Sequence, residues 1–272
     1  TRRSSDLMAD TLLHITLARQ IIGDPRLDTA AADLLRRYPS ALDLGAVAFD
    51  LPFYDDLFSS ARNKLSGRPQ SWSPVGTSIH ERRCGALCAD AVGASTDESR
   101  FAVAAGMLSH FAADIAFHLE IERRVREDGI VHEVLENDIG ILCHCDRLGH
   151  PGVGSAFCRD ALSITPPCGW AEDFAILLQR TADIRVSAAY LKKCLRSLRL
   201  FGYLHSIPAP WVKTRADVHP SIEHLALSLC DESIASGIAL INDAYKVFCG
   251  RLSLPAFTAG LPARRMKDGA PE

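Results

Sequence analysis

The chain has 272 residues and carries 30 Lys and Arg against 33 Asp and Glu, for a formal net charge of −3. Apolar residues make up 47% and charged residues 23%, a balance that excludes a disordered chain. The lack of a basic excess also argues against a protein built to neutralise nucleic-acid phosphates. Ten His and nine Cys are the unusual counts.

In chain order, Leu12, Leu13, Ile15, Leu17 and Ile21 form a helical stripe between Met8 and Ile22, which Gly23-Asp24-Pro25 stops. Residues 27–38 read as a second short helix. Pro39 to Asp50, punctuated by Pro and Gly, reads as a loop-rich turn, and Ser66 to Gly76 as a long surface loop. One helix is expected from Ile79 to Val92, ending at Gly93. The strongest runs from Glu98 to about Glu127, is Ala-rich, and closes at Asp128-Gly129. Val131 to Leu148 follows, then helices over Ala171–Leu200 and Ser221–Gly250. Alternating strand patterns are almost absent. The expected fold is all-α: a single helical domain over residues 1–261 with a flexible tail at 262–272. No run approaches the ~18 or more apolar residues that span a bilayer.

The nine cysteines are scattered without framework spacing, so they read as reduced, mostly buried thiols and not as a disulfide scaffold. With no signal-like apolar core in the first residues, the expected location is cytoplasmic, a processed secreted form being the alternative. Cys143-His144-Cys145 is a weak candidate for an accessory metal site, since no fourth ligand is evident.

The histidines carry the chemical signal. His110, Asp114 and His118 recur at i, i+4 and i+8 on the strongest helix, so their side chains leave one face of an otherwise apolar segment. Burying two imidazoles and a carboxylate there is costly unless something compensates them. A divalent metal does so economically, because imidazole nitrogen and carboxylate oxygen are preferred zinc ligands. A hydrogen-bonded His–Asp ladder is the plainer reading. The next predicted helix repeats the device with His132 and Glu136, while Glu133 and Asp138 point elsewhere and read as solvated. Upstream, His14 lies on the first helix, Asp50 follows Phe49, and His80 precedes Cys84.

In this order, His14, Asp50, His80, His110, Asp114, His118, His132 and Glu136 resemble the metal-ligand series of the zinc-dependent phospholipase C family, related to the helical zinc nucleases. The resemblance covers roughly residues 8–140. It implies an all-helical cup holding two or three zinc ions. One ion would be held by Asp50, His80, His110 and Asp114, and a second by His118, His132 and Glu136. A third would use His14 and the other oxygen of Asp114. Phe49 stands where the family usually has Pro, and the Asp114–His118 spacing is shorter than in secreted members. The implied activity is hydrolysis of a phosphate ester by a hydroxide bridging the metals, with Asp50 orienting or deprotonating the attacking water.

The resemblance also implies a small-molecule or lipid-headgroup substrate. Relatives that accept choline surround it with aromatic residues and a carboxylate, for which Phe49, Phe53, Tyr54, Asp55 and Trp72 are candidates; packing of a loop over the cup is the plainer reading. Arg62, Lys64 and Arg68 are candidates for attracting a phosphate. Two other readings stay open. One is a biosynthetic metalloenzyme of the same fold, acting as hydrolase or lyase on a non-lipid metabolite. The other is a non-enzymatic, metal-stabilised binding module.

Overall fold

A computed structural model describes residues 6–55, 73–128, 135, 138–143, 156–205, 220–263 and 266. Among them there is no strand. The chain begins with α1 (Asp6–Gly23), α2 (Thr29–Arg37) and α3 (Pro39–Val47), then a single 3-10 turn at Leu51–Tyr54. Next come α4 (Pro74–Glu81), α5 (Cys84–Gly93) and the long α6 (Glu98–Asp128). The later part holds α7 (Ala156–Leu162), α8 (Trp170–Ala182), α9 (Ala188–His205), α10 (Pro220–Phe248) and α11 (Leu254–Gly260). Residues 138–143 are helical as well.

The stretch 39–50, expected to be loop-rich, is largely the helix α3. Pro39 sits in its first turn, where a missing N–H costs nothing. Gly45 marks a close crossing, not a break: a Cβ on Gly45 would collide with the Val103 carbonyl, and one on Gly106 with the Leu42 carbonyl. α3 and α6 therefore touch backbone to backbone. The helix expected over 79–92 is divided in two, because Arg83 adopts a left-handed conformation (φ 51°) between α4 and α5. α4 starts earlier than expected, inside the segment read as a surface loop, since the Ser73 hydroxyl accepts from Gly76 N at 3.3 Å and Pro74 opens the helix. The span 171–200 is likewise two helices, with Asp183 left-handed (φ 53°) after α8.

α6 is the axis of the bundle. Every residue from Phe101 to Asp114 is buried, because α3 and α10 both pack along it. Its last turns project further out and carry a charge ladder in which Arg124 reaches Glu120 and Asp128, each at 3.1 Å. Two helical segments, Glu98–Asp128 and Ile222–Phe248, do reach the length and mean hydropathy needed to cross a membrane, against the sequence expectation. In α6, 83% of the apolar window is covered by the protein itself, which is what a core helix requires. One apolar cluster runs from Leu12 to Met266, so Met266, inside the expected tail, is fully buried.

Two of the cysteines read as reduced thiols are joined instead: Cys143 and Cys230 form a disulfide linking the helical stretch 138–143 to α10. Both are fully buried. Cys143 is thereby removed from any thiolate site with Cys145, which lies outside the described residues. Cys84, Cys88, Cys168, Cys194 and Cys249 form no disulfide among the described residues.

Candidate metal centre

Four elements deliver the cluster. α1 contributes His14, the turn after α3 contributes Asp50, α4 contributes His80, and α6 contributes His110, Asp114 and His118. The first five are buried, and the His118 side chain is 12% exposed. The close crossing of α3 and α6 brings the Ala46 carbonyl to His110, whose Nδ1–H donates to it at 2.9 Å. Within α4, His80 Nδ1–H donates to the Gly76 carbonyl at 2.8 Å. A carbonyl can only accept, so in both rings the proton sits on Nδ1 and Nε2 faces inward.

The inward nitrogens meet two carboxylates. Asp114 Oδ2 lies 3.2 Å from His110 Nε2 and 3.6 Å from His80 Nε2. Asp114 Oδ1 lies 3.3 Å from His14 Nε2 and 3.9 Å from His118 Nε2. Asp50 Oδ1 is 3.2 Å from His80 Nε2 and 3.9 Å from His110 Nε2, and its Oδ2 is 3.9 Å from His14 Nε2. The two oxygens of Asp114 thus serve two different pairs of imidazoles, the arrangement a bridging carboxylate needs. The His14 and His110 rings stack with centroids 3.8 Å apart. Phe49 backs the cluster edge-on, 5.2 Å from His110 and 6.5 Å from His80.

Electrostatically the cluster asks for a cation. A neutral imidazole with its proton on Nδ1 presents a lone pair to a carboxylate that also offers lone pairs, and the contact is repulsive unless a proton or metal lies between. Burial pushes His110 down, but Asp114 and Asp50 more than reverse this and hold it at about 9. His80 is raised in the same way, burial being outweighed by its contact with Asp50 and by the Asp114 charge. Burial would raise Asp114 and Asp50, yet the surrounding imidazoles, His110 foremost, hold both below the ordinary carboxylate range. Asp50 Oδ2 is buried and accepts no hydrogen bond among the described residues.

Oxygen and nitrogen donors of this kind, drawn into His14–His110–Asp114 and Asp50–His80–His110 groups with every ligand atom within 4.8 Å of the others, fit a divalent metal of the zinc type. A small cavity of about 10 Å³ opens between His14, Asp114 and His118, bordered by Phe117 and Ile139. That is room for about one water-sized body.

Six of the eight residues singled out as ligands therefore converge; His132 and Glu136 lie outside the described residues. Of the aromatic residues offered as a substrate cage, Phe53 is half-buried beside the cluster, its ring 5.4 Å from His80. Tyr54 is a correction: it is buried in the core, hydroxyl to hydroxyl with Thr11 at 2.6 Å and against Phe201. Asp55 is taken by Lys193 at 2.8 Å. Trp72, Arg62, Lys64 and Arg68 lie outside the described residues. His224 is exposed on α10.

Two acidic residues escaped the sequence reading. Asp138, expected to be solvated, is buried. Asp43, in the segment read as a loop, is buried in a bidentate pair with Arg19 at 2.6 and 3.1 Å. No amphipathic pattern could have signalled the second, because every residue from Ala41 to Val47 is buried. A family profile described as zinc dependent phospholipase C matches residues 13–154, a span that holds every residue of the cluster. Neither the curated proteins nor the solved structures give a match.

Proposed function

Because the chain belongs to the zinc-dependent phospholipase C family, the match covering more than half its length, we propose that it is a zinc-dependent hydrolase that cleaves a phosphate ester. The observation that supports this most is the convergence of four imidazole nitrogens on the oxygens of Asp50 and Asp114 in a buried pocket. Zinc held there supplies Lewis acidity, making water acidic at neutral pH and drawing charge from phosphate oxygens.

The chain's own residues do the rest. His80 and His110, pinned at Nδ1 by Gly76 and Ala46, keep their Nε2 lone pairs aimed inward without any cost of reorientation. Asp114 spans the two halves of the cluster with its two oxygens. Asp50, whose Oδ2 accepts no hydrogen bond among the described residues, is the group we assign to orient the attacking water and take its proton. Phe49, fully buried, backs the site edge-on against His110 and His80.

The substrate we propose is a small phosphate ester. Tyr54 lies in the core and Asp55 is paired to Lys193, so among the described residues Phe53, half-buried 5.4 Å from His80, is the cage candidate placed to meet the substrate. The test is metal analysis combined with hydrolysis of bis(p-nitrophenyl) phosphate. Two or three zinc ions per chain are expected, with cleavage abolished by EDTA and restored by zinc. A fully loaded protein that leaves phosphodiesters and phosphomonoesters intact would overturn the proposal and move weight to a hydrolase or lyase acting on another metabolite.

A further inference from the structure

α9 departs from the charge balance of the rest of the chain. From Ile184 to His205 there are five basic residues, Arg185, Lys192, Lys193, Arg196 and Arg199, and no Asp or Glu, in a chain whose formal net charge is −3. The helix sorts its residues by face. Leu191, Cys194, Leu195, Leu198 and Phe201 are buried, and Phe201 meets Tyr54 with ring centroids 5.4 Å apart. The inner face of α9 thus rests on the 3-10 turn that follows Asp50. Lys192, Lys193, Arg196, Leu200 and Tyr203 are exposed and Arg199 is half-buried, and their three- and four-residue spacing gathers them on the outer side.

The two ends of that outer face differ. Toward the start of the helix, Lys192 pairs with Glu172 at 2.6 Å and Lys193 with Asp55 at 2.8 Å, so both charges are answered. Toward its end, Arg196 gives its Nε to the Lys192 carbonyl at 3.1 Å and makes no ion pair among the described residues. Arg199 gives Nη2 to the Ile164 carbonyl and likewise meets no carboxylate among the described residues. Beside these two arginines stand Leu200, 38% exposed, and Tyr203, 57% exposed, two of the four large hydrophobic side chains exposed among the described residues. Arg196, Arg199, Leu200 and Tyr203 follow i, i+3, i+4 and i+7, which makes them one patch about two turns long.

We propose that this end of α9 is a docking surface for an anionic lipid membrane, with Arg196 and Arg199 on lipid phosphates and Leu200 and Tyr203 in the headgroup layer. A basic amphipathic helix face has this affinity because phosphates answer its guanidinium groups while the interface takes in its apolar and aromatic side chains. An acidic protein would answer the arginines but needs a shaped pocket for Leu200 and Tyr203; a fluid interface needs no such fit. The surface shares no residue with the metal cluster, and its test needs no hydrolysis.

The test is flotation of the full zinc-loaded chain with phosphatidylcholine vesicles that contain phosphatidylglycerol, against vesicles of phosphatidylcholine alone. Binding to the anionic vesicles is expected, with little to the neutral ones, and it is expected to fall steeply as salt rises. One basic residue at an anionic surface contributes about fivefold in affinity. Arg196→Gln is therefore expected to weaken binding about fivefold, and Arg196→Gln with Arg199→Gln about thirtyfold. Lys246→Gln, the same charge change at an exposed residue of α10, is expected to leave binding within about twofold of the parent. Leu200→Gln with Tyr203→Gln is expected to weaken it about tenfold while its salt dependence stays the same. Should the double arginine variant fail to fold for want of the Arg199 bond to Ile164, Arg196→Gln alone decides, since the bond Arg196 makes to Lys192 lies within α9. No vesicle binding, equal binding to neutral and anionic vesicles, or binding that survives the arginine variants would overturn the proposal. Binding that needs the arginines but survives Leu200→Gln with Tyr203→Gln would overturn it too, by assigning the patch to a soluble acidic partner.

Discussion

Asp114 sits where a single substitution separates one metal from several. Its Oδ2 faces His80 and His110, and its Oδ1 faces His14 and His118. Asp114→Asn keeps the shape but replaces one oxygen by an amide that cannot ligate and removes the charge. Zinc content is therefore expected to fall by more than one ion per chain, read by elemental analysis on protein shown by circular dichroism to be folded. Full occupancy in the variant would contradict a bridging role. Tyr54 makes the opposite case. Its hydroxyl pairs with Thr11 in a fully buried setting, so Tyr54→Phe is expected to cost about 1–2 kcal/mol of stability and to leave KM for a phosphodiester unchanged. A raised KM at wild-type stability would return Tyr54 to the substrate site. The ladder His110, Asp114, His118 could be read directly from sequence, because helical periodicity alone puts three such side chains on one face. Asp50 and His80 could not: Asp50 is one acidic residue in an apolar stretch, His80 is one histidine among polar and charged neighbours, and only the order they share with a known family singled them out. The carbonyl partners Ala46 and Gly76 leave no trace in sequence at all, since every residue has a carbonyl.

At the scale of elements, the crossing of α3 and α6 builds the centre. Gly45 and Gly106 let the two backbones meet, with each Cβ position falling on the other helix's main chain. Only at that separation does Ala46 present its carbonyl to His110. A glycine inside a run of apolar residues signals a break when read alone, which is why residues 39–50 look like a loop. The structure shows the second meaning of such a glycine, close approach of backbones. Gly106→Ala must force the helices apart. It is expected to cost about 1–3 kcal/mol or more, the range for overpacking a dense core, and to weaken zinc binding beyond that loss by moving Ala46 away from His110. Chemical denaturation and a zinc competition titration measure the two effects separately. An alanine variant with unchanged stability and affinity would mean that the helices separate without consequence for the site. Where the helix at 79–92 was expected to be continuous, the left-handed Arg83 is the cause of the break, and arginine carries no preference that would announce it.

The whole molecule is tied together by more than the half that carries the cluster. α10, beyond the matched span, packs along α6 and α1, and its Asn242 side chain accepts from Asp28 N at 2.8 Å and donates to the Arg26 carbonyl at 3.1 Å. The Cys143–Cys230 disulfide makes this tie covalent across 87 residues of sequence. Cysteine counts and spacings could not reveal it, because pairing depends on which two helices the fold brings side by side. Its consequence follows from chain entropy. Closing a loop of that length in the unfolded state corresponds to about 4–5 kcal/mol in the ideal treatment, and native disulfides of this kind typically contribute about 2–4 kcal/mol. The double variant Cys143→Ala, Cys230→Ala is expected to lose stability in that range by denaturant unfolding, while Cys249→Ser, at an exposed free thiol, is expected to change little. The loss also has a local side. Ile139, four residues before Cys143, borders the small cavity between His14, Asp114 and His118, so loosening this stretch is expected to lower zinc occupancy near His118 before that at Asp50, His80 and His110. Stability and zinc content both unchanged in the double variant would return Cys143 and Cys230 to the class of ordinary buried thiols. Stability lost with zinc content intact would confine the disulfide to holding the bundle together and leave the metal centre to the α3–α6 crossing alone.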